Sequence, residues 1–302
     1  MEKLLLKIAN ILYINMQYVP EHDLLKGKMG LTLFFYEYGR YTGNTIYSDT
    51  ADILLDEIIA ALSLEDNEAL IGIGWGIQYL MKNNFVEGDP DEVLSEIDER
   101  VQQILTNYGE IPTEECERLF IQGGLNLFID SYILSRSNSR IRDLKNMKYI
   151  TDFYYNILLK TEGLLPLSFL NTCYAFLSCV SPHFIDLKKI GVLTKVLNDR
   201  YNQSLVGKLY KENDLKFLMR IKYQSQINLL NKDMIVDYVK TIDSYLNYFI
   251  CELLYFDSDC CLLDNHLVNS YISDVINNVT SDNLSLNGLA GIGLMIIKTK
   301  KS

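Results

Sequence analysis

The chain has 302 residues, of which 48% are hydrophobic, and its 39 acidic and 28 basic residues give a formal net charge of −11. This length and hydrophobic content suffice for a large buried core, and the acidic balance disfavours nucleic acid and anionic membranes as partners, because both require clustered cations. Six cysteines in so long a chain do not form a disulfide framework, and neither a signal peptide nor a membrane-spanning stretch is apparent, so we expect a cytoplasmic protein without membrane insertion.

The first residues have the spacing of an amphipathic helix. Leu4, Ile8 and Leu12 fall on one face, and Lys3 and Lys7 interrupt any continuous apolar block. This pattern predicts a helix that packs against the rest of the protein and is not a targeting segment.

A glycine-led apolar segment then recurs along the chain. If Gly30, Gly76 and Gly124 are taken as equivalent, the steps between them are 46 and 48 residues. Such a period is typical of a repeated unit of two helices. The clear copies are 27–31, 72–77, 122–125 and 288–292, and the weaker ones are 163–174, with Phe169 in the glycine place, and 221–230.

Amphipathic helix patterns alternate with these apolar segments, at 49–62, 92–105, 143–159, 187–197, 234–248 and 264–279. The alternation predicts an outer layer of amphipathic helices around an inner layer of nearly all-apolar ones. We therefore expect an all-α protein, a single domain over 1–302 in which about six helical hairpins close into an (α/α) toroid. An insertion falls between 215 and 285, and the acidic stretches 87–99 and 110–117 are interpreted as solvated helix faces and loops.

Both ends of the chain resemble the lanthionine synthetase C-like (LanC-like) family. The first copy continues through Thr42-Gly43-Asn44 to Tyr47, and the last reads Ser285-Leu286-Asn287-Gly288-Leu289-Ala290-Gly291. These match the opening and closing repeats of that family. The resemblance implies an α/α toroid whose central cavity, in active members, holds a zinc ion on two cysteines and a histidine and activates peptide thiols for addition to dehydrated residues.

The family's metal-binding sequences are absent. Its ligands come from Cys-Gly and Cys-His-Gly repeat starts, and none of His22, His183 and His266 follows a cysteine. No catalytic, cofactor-binding or metal-binding residue can be assigned by position. We therefore expect a protein without a required cofactor that binds a precursor peptide, and assists partner modification enzymes, in the maturation of a ribosomally synthesised peptide.

One cluster keeps a zinc-dependent cyclase open as an alternative. Cys260, Cys261 and His266 could supply three ligands, with Cys173 as a fourth, although their spacing matches no compact zinc motif. A pair of carboxylates from the repeat-start loops would instead favour a glycosidase-like enzyme. The candidates for that pair are Glu21, Asp23, Glu68, Glu114, Glu115, Glu117 and Asp214.

Other chemically active residues have simpler interpretations. Cys173 and Cys179 lie in an apolar run with only His183 nearby as a base, so core packing is favoured over a catalytic thiol. His22 is interpreted as a surface histidine at a possible cavity mouth. Trp75 is interpreted as a core side chain, with a cavity-lining role as the alternative.

Overall fold

The computed structural model describes residues 2–107, 125–136, 141–180, 187–206, 246, 249–250, 253–254 and 265–301. Every regular element in these ranges is helical, which confirms the all-α prediction. The α-helices are α1 (Glu2–Asn15), α2 (Lys28–Thr42), α3 (Thr45–Ala61), α4 (Asn67–Lys82), α5 (Pro90–Val93), α6 (Ser95–Asn107), α7 (Leu125–Ser135), α8 (Ile141–Lys160), α9 (Leu167–Cys179), α10 (Leu187–Val206), α11 (Asn265–Asn277), α12 (Ser281–Leu284) and α13 (Leu289–Lys301).

The chain divides into two compact units. Unit 1 consists of Met1–Val93 and Lys240–Ser302, and unit 2 of Leu94–Val239. The single domain and the closed ring of six hairpins stay predictions. The copies at 122–124 and 221–230 and most of the helix at 234–248 lie outside the described residues.

Unit 1 has the predicted contrast between two kinds of helix. In α2 every residue from Met29 to Gly39 is buried, α4 has an equally long buried run, and α13 is buried from Leu289 to Ile297. In α3 only one face is buried, with Ala51 and Leu54 inside and Ile53 exposed. The uniformly apolar segments are thus enclosed by their neighbours, whereas α3 is a surface helix, as the hydrophobic pattern predicted.

Helices α2 and α3 form an antiparallel hairpin. Gly43 adopts the left-handed conformation at φ 69°, which ends α2, and the Asn44 side chain caps α3 by accepting the N–H of Ile46. Tyr36 donates to Asp52 at 2.5 Å across the hairpin. The Thr-Gly-Asn sequence is therefore a tight turn between an inner and an outer helix.

The glycine equivalence across the first two copies is wrong. Gly30 is the third residue of α2, whereas α4 begins at Asn67 and contains Gly76 in its interior. The side chain of Asp66 caps the start of α4 by accepting the backbone N–H of Ala69. Gly76 serves a different purpose, because a Cβ there would lie 2.8 Å from Cγ of Met29. The glycine allows α2 and α4 to approach closely.

Unit 2 shows that the acidic stretch 87–99 is not uniformly solvated. The side chain of Asp98 is 9% exposed and pairs with the Nη2 of Arg136 at 2.7 Å. Tyr132 also donates to Asp98, at 2.8 Å. The predicted helix 92–105 is interrupted at Leu94, a buried residue between α5 and α6. Charge composition alone could not indicate this buried ion pair, whose partners lie 38 residues apart.

Tyrosine hydroxyls join successive helices throughout unit 2. Tyr154 of α8 donates to Asp130 of α7, and Tyr201 of α10 donates to Asn171 of α9 at 2.8 Å. All four side chains are buried. A hydrogen bond from an outer helix to the preceding helix thus recurs in two consecutive hairpins, and it satisfies polar groups that burial would otherwise penalise.

No helix among the described residues has the length and apolar character needed to cross a membrane.

Candidate functional site

Three buried helices of unit 1 begin at one surface. The backbone N–H of Asn287, before α13, donates to the carbonyl oxygen of Leu25, before α2, at 2.9 Å. The hydroxyl of Ser285 donates to the same oxygen at 2.7 Å. On the other side, Nδ1 of His22 lies 2.8 Å from Oε1 of Glu65, before α4. We call this region, residues 21–26, 65–68 and 285–288, the helix-start surface.

Glycines make this arrangement of helix starts possible. A Cβ on Gly30 would lie 2.8 Å from Cβ of Leu286, and one on Gly291 would lie 2.8 Å from Cδ2 of Leu246. Both glycines are the third residue of their helix. Because real Cβ atoms essentially never come that close to other atoms, a side chain at either position would force the packed segments apart. The first and last repeats therefore both use a glycine at the third helical position to allow close packing.

Asp23 organises the loop before α2. Its Oδ1 accepts the backbone N–H groups of Leu25 and Lys26, each at 2.9 Å, while the N–H of Lys28 donates to the carbonyl oxygen of Glu21. Burial raises the pKa of the Asp23 carboxyl above its ordinary value, and its two backbone hydrogen bonds partly oppose that shift. Asp23 is thus a structural carboxylate that holds the turn.

Glu68 is an exposed acid of this surface. It lies in the first turn of α4, and it accepts no hydrogen bond from the described residues. Partial desolvation raises its pKa, and the negative charges of Asp66 and Asp23 raise it further. The structure therefore brings three of the predicted carboxylates together, because Glu21 and Glu68 both lie within electrostatic range of Asp23. Asp23 is engaged by the turn, whereas Glu21 and Glu68 are exposed.

The helix-start surface is negative overall. It carries five carboxylates against His22 and Lys26. Each helix start adds roughly half a positive charge, so three helix starts do not offset five carboxylates. The arrangement suits a cationic ligand. The five carboxylates are those of Glu21, Asp23, Glu65, Asp66 and Glu68.

A buried polar network lies further along the same helices. Tyr79 of α4 donates to Oε1 of Glu37 in α2 at 2.5 Å, and Lys298 of α13 lies 5.1 Å from the Tyr79 ring. Trp75 stacks on Tyr79 at 5.5 Å and is buried, so the core interpretation of Trp75 is confirmed. The sequence patterns did not single out Glu37, although a single acid within an apolar run was a usable signal.

Cys173 is a core residue of unit 2. It is fully buried, and burial together with the negative charge of Asp130 raises the pKa of its thiol well above the ordinary value. A nucleophile requires the thiolate, which this environment disfavours. The core interpretation of Cys173 is therefore confirmed. Cys179 is partly exposed at the end of α9, and His183 lies outside the described residues.

The zinc hypothesis concerns a part of the chain that is only partly described. His266 is exposed in the first turn of α11, whereas Cys260 and Cys261 lie outside the described residues, as do Glu114, Glu115, Glu117 and Asp214. Within the described ranges, no three His, Cys, Asp or Glu side chains are grouped to hold a metal ion. The zinc alternative at Cys260, Cys261 and His266 therefore stays a prediction.

A comparison of the chain with protein-family models, curated proteins and solved structures gives no match.

Proposed function

We propose that the chain is a LanC-like protein that binds a cationic precursor peptide at the helix-start surface and acts in its maturation as a zinc-free accessory to partner enzymes in a reducing cytoplasm. The observation that carries the proposal is that α2, α4 and α13 all begin at the helix-start surface, where carboxylates outnumber cationic side chains. The charge complements a basic leader segment, and the exposed Glu68 is available to contact it.

The pairing of the two chain ends supports the family assignment. A ring of hairpins requires its first and last repeats to be neighbours, and here Leu25 and Asn287 are hydrogen-bonded. Both repeat starts also use glycine at the third helical position. These are features that the resemblance to LanC-like proteins implies, found between segments about 260 residues apart.

Peptide binding is tested with two labelled probes, a Lys-rich peptide and the same peptide with every Lys replaced by Glu. We expect the Lys-rich probe to bind with an affinity that falls as salt is added, and the Glu-rich probe not to bind. Glu68→Gln should weaken binding several-fold, whereas Asp49→Asn, an exposed acid on α3, should not. Equal binding of both probes, or equal effects of both variants, would remove the basis of the proposal.

Metal content separates the accessory role from the cyclase alternative. We expect protein purified without chelators under reducing conditions to contain no stoichiometric zinc. Stoichiometric zinc that disappears in Cys260→Ala or His266→Ala would replace the proposal with the zinc-dependent cyclase, and thiol addition to dehydroalanine would then be the assay.

A further inference from the structure

A groove lined by α1 has no role in the proposed function. It lies between α1 and the end of α11 and has a volume of about 470 Å³. Its floor is aliphatic and remains open to solvent, since Leu6 is 49% exposed, Ile14 68% and Ile276 48%. Its principal lining residues are Lys3, Leu6, Lys7, Ile14, Ile276 and Val279.

The groove has a basic edge on a strongly acidic protein. Lys3 and Lys7 are the charged residues that line it within the described part of the chain, and both are exposed. Neither forms an ion pair or a hydrogen bond with the residues that the structure describes, whereas nearby Glu2 is engaged by Lys300 at 3.6 Å. With a net charge of −11, two unpaired lysines beside exposed aliphatic side chains are a specific local feature.

We propose that this groove docks an acidic amphipathic helix of a partner protein. The exposed residues of α1 recur at helical spacing, so they form one stripe along the groove, and a helix is the element that packs into such a groove through apolar side chains at every third or fourth position. Carboxylates flanking that apolar face complement Lys3 and Lys7. The proposal does not depend on the proposed function.

Other occupants fit the observations less well. The acidic helix α6 of a second copy is engaged, because Ile97, Val101 and Leu105 are buried within unit 2. A flat anionic bilayer would contact the convex rim of the groove and leave its concave floor empty, and the net charge of the whole protein opposes such binding.

The test is a display selection against the full-length protein. The library consists of helical peptides with a fixed Leu face and with Glu, Gln or Lys randomised at the flanking positions. We expect enrichment of Glu at those positions, and binding of the selected peptide should weaken at least tenfold in Ile14→Glu. The control Ile53→Glu changes another exposed isoleucine, on α3, and should have no effect.

Charge reversal makes the result decisive. In the double variant Lys3→Glu, Lys7→Glu the same selection should enrich Lys in place of Glu. The proposal is overturned if no peptide is enriched, if the flanking charge shows no preference, or if binding survives Ile14→Glu. It is also overturned if Ile14→Glu converts a dimer into a monomer, which identifies a second copy as the occupant, or abolishes sedimentation with anionic phosphatidylglycerol vesicles, which identifies a membrane.

Discussion

The backbone N–H of Asn287 donates to the carbonyl oxygen of Leu25 at 2.9 Å. This bond places the loop before the last helix directly beside the loop before α2. Ser285 donates to the same oxygen, so one carbonyl group joins the two ends of unit 1. The packing of this junction depends on glycines in both helices.

A methyl group at the junction should destabilise unit 1. In Gly291→Ala the new Cβ would collide with the carbonyl oxygen of Leu286 and approach Leu246, and we expect a loss of about 1–3 kcal/mol in the free energy of unfolding. The matched control is Gly191→Ala in α10, where the Cβ meets nothing within 4 Å, and there we expect a gain of up to about 1 kcal/mol from helix propensity. Thermal unfolding measures both, and changes of the same sign would contradict this account.

The ion pair between Asp98 and Arg136 should be costly to break from one side. Arg136→Met leaves a buried carboxylate that still accepts from Tyr132 but has lost its positive partner, and we expect a loss of about 3–5 kcal/mol. The double variant Asp98→Asn, Arg136→Met should recover a large part of that loss, because it removes the uncompensated charge. Denaturant titration of the single and double variants gives the coupling between them. Additive losses would show that the pair is solvated.

The buried carboxyl of Asp130 should make stability depend on pH. Burial raises its pKa, which the hydrogen bond from Tyr154 only partly opposes, and the uncharged Cys173 thiol faces it. The folded protein therefore holds this proton more tightly than the unfolded chain. The resulting stability is fully present below the ordinary pKa of 3.8 and is lost as pH rises through the folded pKa.

Asp130→Asn isolates that contribution. Relative to this variant, the unmodified protein should lose about 1.4 kcal/mol per pH unit within the window between the two pKa values. Melting temperatures measured for both proteins from acidic to neutral pH provide the comparison. Parallel profiles would mean that Asp130 has the same pKa in the folded and unfolded states.

Binding of a cationic peptide should also respond to pH through Glu68. Because the pKa of Glu68 is raised, its charge is lost at a higher pH than that of an ordinary glutamate. Affinity for the Lys-rich probe should therefore begin to fall on acidification before most other carboxylates titrate. Glu68→Gln should remove that early phase, and an unchanged profile in this variant would exclude Glu68 from the binding surface.

The sequence was informative for structural features that depend on one short segment. Uniformly apolar runs became the buried helices α2, α4 and α13, because a helix without a polar face must be enclosed by its neighbours. The turn at Gly43 and the core position of Cys173 follow from equally local properties. These features needed no knowledge of distant partners.

Pairings between distant residues were not accessible in the same way. Gly76 looked like a helix start because it resembles Gly30, yet Asp66 begins α4 and Met29 accounts for the glycine. Asp98 looked solvated because its partner Arg136 is remote in sequence. Likewise His22 and Glu65 are in contact although they lie 43 residues apart in sequence. The sequence therefore predicted the separate loops of the helix-start surface but not their contacts.

The division of the chain also determines when each part can fold during synthesis. Unit 2 is one continuous stretch, Leu94–Val239, so all its residues are synthesised before the last part of unit 1. Unit 1 cannot be completed until α13 has been made, since α2 requires the segment around Leu286 as its neighbour. Met29 to Gly39 therefore lack their contacts with α13 while some 250 further residues are translated, and apolar surface left exposed in this interval favours aggregation of the nascent chain.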